Sequence, residues 1–375
     1  MKLWAKMVFE QSVLKHKKYR MAYYLRENVR TRPVFGHRRP TINEFFLSSY
    51  TLSTYSGCEF GCAYCDAWSY GLRPLNETIR IPIDLPDVVN EELPGLDRGD
   101  LIAITALSDS YQPAEQTFRI TRQVLQSFAD HGQPCLILTK SPTVLEDLPL
   151  LRRINEQSLA VVMFTILTMD NYLSEQLEGK VQSPAARIEA MAELKRAGIP
   201  VGAAILPVMP YVNDTDLGLR TLLRSLASVP VDFVVWDFLH IPNERHRGRI
   251  RDTLGRIGSY PPSYYRDIYR EQQLPIPSYR AERSRELLER CDALGIDVRM
   301  PHKLFAGKLK PANEAALILK HTAFRDEIQG RHTLALLHRE LADQIYAGHY
   351  PKKELLSSPL ASTVQAILER PEAAS

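Results

Sequence analysis

"LAVVMFTILTM", residues 159–169, is the stretch on which the fold turns. It is far too short for the ~20 apolar residues that a membrane-spanning helix needs. It is also too uniformly apolar for a strand with one wet face. A run of this kind suits a strand covered on both sides, as in a parallel sheet with helices outside. A strand is therefore predicted over 159–167.

The same rhythm recurs on either side of it: an apolar run, a polar turn, then a helical pattern. Upstream lie "YTLSTYS" (50–56), "LIAITAL" (101–107) and "PCLILTK" (134–140). Downstream lie "VGAAILPV" (201–208) and "VDFVVWDFLH" (231–240). Between them, helices are expected over 114–132, 143–157, 183–200 and 214–227, the third with Ser183 as a cap, Pro184 in the first turn and Gly198 at its end. Six such units in about 190 residues predict an α/β fold, a partial (β/α)6 TIM-type barrel rather than a closed eight-unit one. Its chemistry belongs at the C-terminal ends of the strands.

The organisation expected is a basic N-terminal arm (1–49), a barrel core (50–240) and a mostly helical C-terminal extension packed on it (241–375). Residues 1–40 carry eleven Lys and Arg against Glu10 and Glu27, so the remainder, in a chain of net charge +3, sums to −6. A basic arm of this kind suits either a solvated leader or contact with phosphates. After residue 240 come an Arg-rich stretch, "HIPNERHRGRIRDTLGR", and a Tyr- and Pro-rich one, "SYPPSYYRDIYREQQLPIPSYR". Arg245, Arg247, Arg249, Arg251 and Arg256 can hold an anion, and Tyr260, Tyr264, Tyr265, Tyr269 and Tyr279 can stack bases or simply pack as a cover. No secretory signal or membrane span is legible. An apolar content of 45% and only five cysteines fit a soluble protein of a reducing cytoplasm.

Directly after the first strand stands "TYSGCEFGCAYCDAWSYG" (54–71), which holds three of the five cysteines. Cys58, Cys62 and Cys65 admit two metal readings. A structural zinc site needs a fourth ligand, and no second C-x-x-C supplies one. A [4Fe–4S] cluster held by three thiolates leaves one iron open to a substrate or cofactor. Gly57 and Gly61 let the backbone wrap a bulky group.

C-x3-C-x2-C with Tyr64 before the last cysteine resembles the signature of the radical S-adenosylmethionine (SAM) superfamily. With "SDSYQPAE" (108–115), "LILTKSP" (136–142) and "GIPVGAAILPVMPYVND" (198–214), it resembles more closely the group related to spore photoproduct lyase. The resemblance covers roughly 50–300. It implies that Cys58, Cys62 and Cys65 bind a [4Fe–4S] cluster whose open iron is chelated by SAM. It implies reductive cleavage of SAM to a 5′-deoxyadenosyl radical that abstracts hydrogen from a substrate left unspecified. A reducing partner such as flavodoxin or ferredoxin follows from that chemistry. Further SAM contacts implied are Tyr64, Ser108, Asp109, Lys140 and Thr165, with Thr168 close by.

One departure separates this chain from the lyase. Where the lyase is expected to carry a catalytic cysteine before its "SD" turn, Ala106 stands here. Cys135 and Cys291 read as small buried hydrophobes. The relationship therefore implies scaffold and radical chemistry, not thymine-dimer repair. The alternatives are a radical SAM enzyme acting on nucleic acid, a non-catalytic Fe–S and SAM-binding protein, and a zinc-stabilised nucleic-acid-binding protein.

Overall fold

A computed structural model describes residues 22–69, 76–104, 108–258 and 262–370. Six strands form one sheet: β2 (Tyr50–Leu52), β4 (Ile102–Ile104), β5 (Cys135–Thr139), β6 (Ala160–Thr165), β7 (Val201–Val208) and β8 (Phe233–Phe238). They stand side by side in chain order, and every neighbouring pair is parallel. That is the partial barrel read from the sequence, open between its first and last strands.

Alternation along the strands explains why the runs are apolar throughout. Ile102, Ile137, Val162, Phe164, Ala203 and Val234 share one core with residues of the helices Ile120–His131, Leu148–Gln157, Pro184–Arg196 and Asp216–Ser228. Their alternates Leu136, Val161, Met163, Ala204, Phe233 and Val235 share another with Leu317, Leu319, Leu341 and Ile345. Those four belong to the helices Pro311–Ile328 and His332–Tyr346. The second face of the sheet is thus dry because the C-terminal helices cover it, and each strand side chain loses water on whichever face it points to.

The helix expected over 114–132 is broken. It runs Pro113–Phe118 and Ile120–His131, with Arg119 between them at φ 54°, a left-handed conformation uncommon for a side chain other than Gly. Ser183 caps its helix as expected, accepting from the Ala186 N–H at 3.2 Å.

A small parallel pair, β1 (Tyr23–Glu27) with β3 (Thr78–Pro82), lies outside the main sheet. The described part of the N-terminal segment is bound to the body. Arg38 donates to Asp100 at 3.0 Å, to the Asn313 side-chain oxygen at 2.7 Å and to the Tyr346 carbonyl at 3.3 Å, its guanidinium 3.8 Å from the Tyr346 ring centre. Among the described residues no helix is long and apolar enough to cross a membrane.

Candidate active site

The cysteine loop leaves β2 at its C-terminal end. Gly57 and Gly61 adopt φ of 89° and 64°, which turns the chain tightly around the thiols. Other elements then clamp its backbone. Gln112 accepts from the Glu59 N–H at 2.9 Å and donates to the Gly57 carbonyl at 3.0 Å. The Ala63 N–H donates to the Leu177 carbonyl at 2.7 Å. At Gly179, φ is 63° and an added Cβ would lie 2.8 Å from the Phe60 carbonyl oxygen.

On the strand-end side lie the groups singled out after β4 and β5. Asp109 is buried and fully engaged: it accepts from Thr139 Oγ1 at 2.7 Å and from the N–H groups of Tyr111 and Lys140 at 2.9 and 2.8 Å. Lys140 Nζ stands 3.9 Å from the same carboxylate. Burial works against the charge on Lys140, but Cys62, Asp109 and Cys58 outweigh it and hold its pKa above that of an ordinary lysine. Ser108 donates to the Tyr55 carbonyl at 2.7 Å, so its hydroxyl fixes the root of the loop.

Tyr64 is buried, and its hydroxyl donates to Glu178 at 2.8 Å. Glu178 is paired in turn with the buried Arg187, whose guanidinium donates to the Thr165 carbonyl at 2.9 Å. One buried network therefore joins the loop to the end of β6. Thr165 and Thr168 are both buried there, and Thr168 accepts from the Asp170 N–H at 3.1 Å.

The loop also meets the Arg-rich helix Glu244–Ile257, which follows β8. Arg249 donates to the carbonyls of Ala63, Gly61 and Cys62 at 3.0, 3.1 and 3.3 Å. Its guanidinium lies 3.7 Å from the centre of the Trp68 ring, and Trp68 Nε1 donates to the Cys62 carbonyl at 3.2 Å. His246 is buried beside them, and burial pushes its pKa down to about 4.

Sequence reasoning grouped Arg249 with its neighbours and missed its task, because backbone carbonyls carry no sequence signature. Glu178, Arg187 and Gln112 were missed as well. Two of the tyrosines offered for stacking, Tyr265 and Tyr269, are buried and stacked on each other at 5.5 Å. Tyr279 donates to Asp214, and the ring of Tyr264 lies 5.6 Å from that of Tyr211. Ala106 and Tyr260 lie outside the described residues.

The donor set can be tested for an iron–sulfur group. Burial raises the pKa of all three thiols, that of Cys58 to about 11. Such thiols ionise readily only against a cation, which cluster iron provides and a bare loop does not. Among the described residues no three His, Cys, Asp or Glu side chains converge to hold a single metal ion. A cubane does not require that convergence, because each thiolate takes a different iron. The residues fit.

Residues 52–221 match the model of the radical SAM superfamily. An uncharacterized protein of Mycobacterium tuberculosis is 28% identical over 285 residues, covering 72% of this chain and 79% of its own. The radical SAM Nalpha-GlyT isomerase of Pseudomonas phage M6 is 26% identical over 238 residues, covering 63% and 48%. In structure, spore photoproduct lyase complexed with dinucleoside spore photoproduct superposes with a TM-score of 0.51 at 15% identity, over 72% of this chain and 78% of that one. The cofactors of the superfamily are a [4Fe–4S] cluster and SAM. By motif and by the match to its model, residues 52–221 are similar to the radical SAM superfamily, and the parallel six-stranded sheet gives the chain a fold related to that of spore photoproduct lyase.

Proposed function

We propose that this protein is a radical SAM enzyme whose Cys58, Cys62 and Cys65 hold the cluster. The carrying observation is the pair of half-buried Lys140 and buried Asp109 set beside those thiols at the ends of adjacent strands. When bound, cluster and SAM supply one electron for the reductive cleavage of SAM and a carbon radical that takes hydrogen from a substrate. The chain's own groups do the positioning. Asp109 anchors Lys140, whose ammonium would pair with the carboxylate of SAM. Tyr64, held by Glu178, would stand beside the nucleoside, with Thr165 at the end of β6, while Ser108 fixes the loop's root.

The test is anaerobic reconstitution with iron and sulfide, reduction with dithionite, and assay for 5′-deoxyadenosine. The wild-type protein is expected to release it and Cys62→Ala to release none. A full cluster with SAM bound but no product would leave a sensor or scaffold, and zinc in place of iron would overturn the assignment. A narrower reading places the substrate among nucleic acids. It is supported by the dinucleoside spore photoproduct with which the structurally similar spore photoproduct lyase is complexed. DNA that stimulates deoxyadenosine release would establish it.

A further inference from the structure

The Arg-rich helix has a second face whose chemistry the proposed reaction does not use. Arg245, Arg249, Asp252 and Arg256 fall at i, i+4, i+7 and i+11, so they form one stripe along the helix. With Trp68, Glu244 and His246 they line an open depression of about 590 Å³. Arg245 and Arg256 are exposed, whereas Arg249 is tied to the carbonyls of the cysteine loop.

This depression adjoins the cysteine loop. Asp109 and Lys140 stand at the ends of β4 and β5, whereas Arg249 reaches the loop from the helix after β8 and holds the carbonyls of Gly61, Cys62 and Ala63. Trp68 joins that helix to the loop, with one face under Arg249 and its Nε1 on the Cys62 carbonyl. An aromatic ring hydrogen-bonded to a ligand residue's own backbone gives a short, dry, bonded route from the depression to the cluster position.

The charge there is local. The helix carries five arginines against Glu244 and Asp252, on a chain that sums to −6 from residue 41 onward. A basic island on an acidic body attracts an acidic surface and orients it.

We propose that the Arg245–Arg249–Arg256 stripe over Trp68 is the docking surface for an acidic, low-potential one-electron carrier protein. This rests on the radical SAM reading above and assigns the face through which that site is reduced. One electron leaves the reduced carrier and enters the cluster, so the carrier is oxidised by one electron and the cluster reduced by one. No proton or bond changes hands. Trp68 and Arg249 position the route, and Arg245 and Arg256 steer the partner.

The experiment compares the reconstituted wild-type protein with the double variant Arg245→Glu/Arg256→Glu. The probes are a purified acidic flavodoxin and a [2Fe–2S] ferredoxin. Affinity is read by titration calorimetry at low and at physiological salt, and cluster reduction by optical bleaching. Expected for the wild type is binding of at least one carrier that weakens with salt. Expected for the variant is affinity and carrier-driven reduction down about tenfold or more, with dithionite-driven bleaching and deoxyadenosine release unchanged. Failure of both carriers to bind the wild type overturns the proposal. So does equal affinity for wild type and variant, or a variant that loses single-stranded DNA binding while keeping its carrier; that result gives the stripe to nucleic acid. If dithionite itself yields no deoxyadenosine from the wild type, it is the radical SAM reading that has failed.

Discussion

Arg299 and His321 show what single residues cost in this fold. Arg299 is buried between the Phe45 and Phe324 rings, 4.3 and 3.7 Å from their centres, with Glu44 at 3.4 Å as its charge partner. His321, against Phe305 and the Glu44 carbonyl, is held neutral. Burial, helped by the charge of Arg299, pushes its pKa down to about 3. The unfolded chain binds a proton at His321 below pH ~6.5, which the folded chain refuses until about pH 3. Stability is therefore lost as the pH falls through that window. Between pH 6.5 and 5 the loss from this residue alone reaches up to about 2 kcal/mol. Urea midpoints at pH 7.5 and 5.0 check it: the difference is expected to shrink in His321→Phe, and an unchanged difference would assign the acid sensitivity elsewhere.

At the scale of elements, the contact between the cysteine loop and the turn after the helix Asn171–Glu178 is the tightest test of the site. Gly179→Ala would set a methyl 2.8 Å from the Phe60 carbonyl and force a side chain into positive φ. A cost of roughly 1–3 kcal/mol is expected. Because the clash presses on the loop itself, iron and sulfide bound per chain should fall by more than the melting temperature suggests. Full cluster content in this variant would show that the loop is not held from that side.

The elements that were legible share a physical cause. β5 through β8 announce themselves because both faces are dry, so their sequences need no alternation to be read. β1, "YYLRE", could not be read that way: four of its five residues are exposed, and it pairs with a strand more than fifty residues away. The break at Arg119 was hidden because its neighbours Phe118 and Ile120 continue the apolar spacing and no Gly marks the turn. At the site, clustered thiols were legible because their spacing is local. Gln112, Glu178, Arg187 and Arg249 were not, since each is defined by a partner brought close only by folding.

Over the whole molecule, Arg38 joins three distant segments: its own N-terminal stretch, Asp100 ahead of β4, and the C-terminal helices through Asn313 and Tyr346. Asp100 is almost fully buried and also accepts from Ser49 at 2.6 Å and Asn313 at 2.7 Å. Arg38→Ala leaves that carboxylate without its cation, and a loss of about 3–5 kcal/mol is expected. Unfolding should remain one transition, because the C-terminal helices share their core with the sheet. Separate loss of the C-terminal helices in Arg38→Ala, seen by hydrogen exchange, would contradict that.

The clamp of Arg249 on Cys62 has a consequence in time. The two residues are 187 positions apart in the chain. At a synthesis rate of about 5–20 residues per second, the thiols emerge roughly 10–40 s before the guanidinium that covers their backbone. For that interval the nascent loop is open to iron delivery, and equally to oxygen.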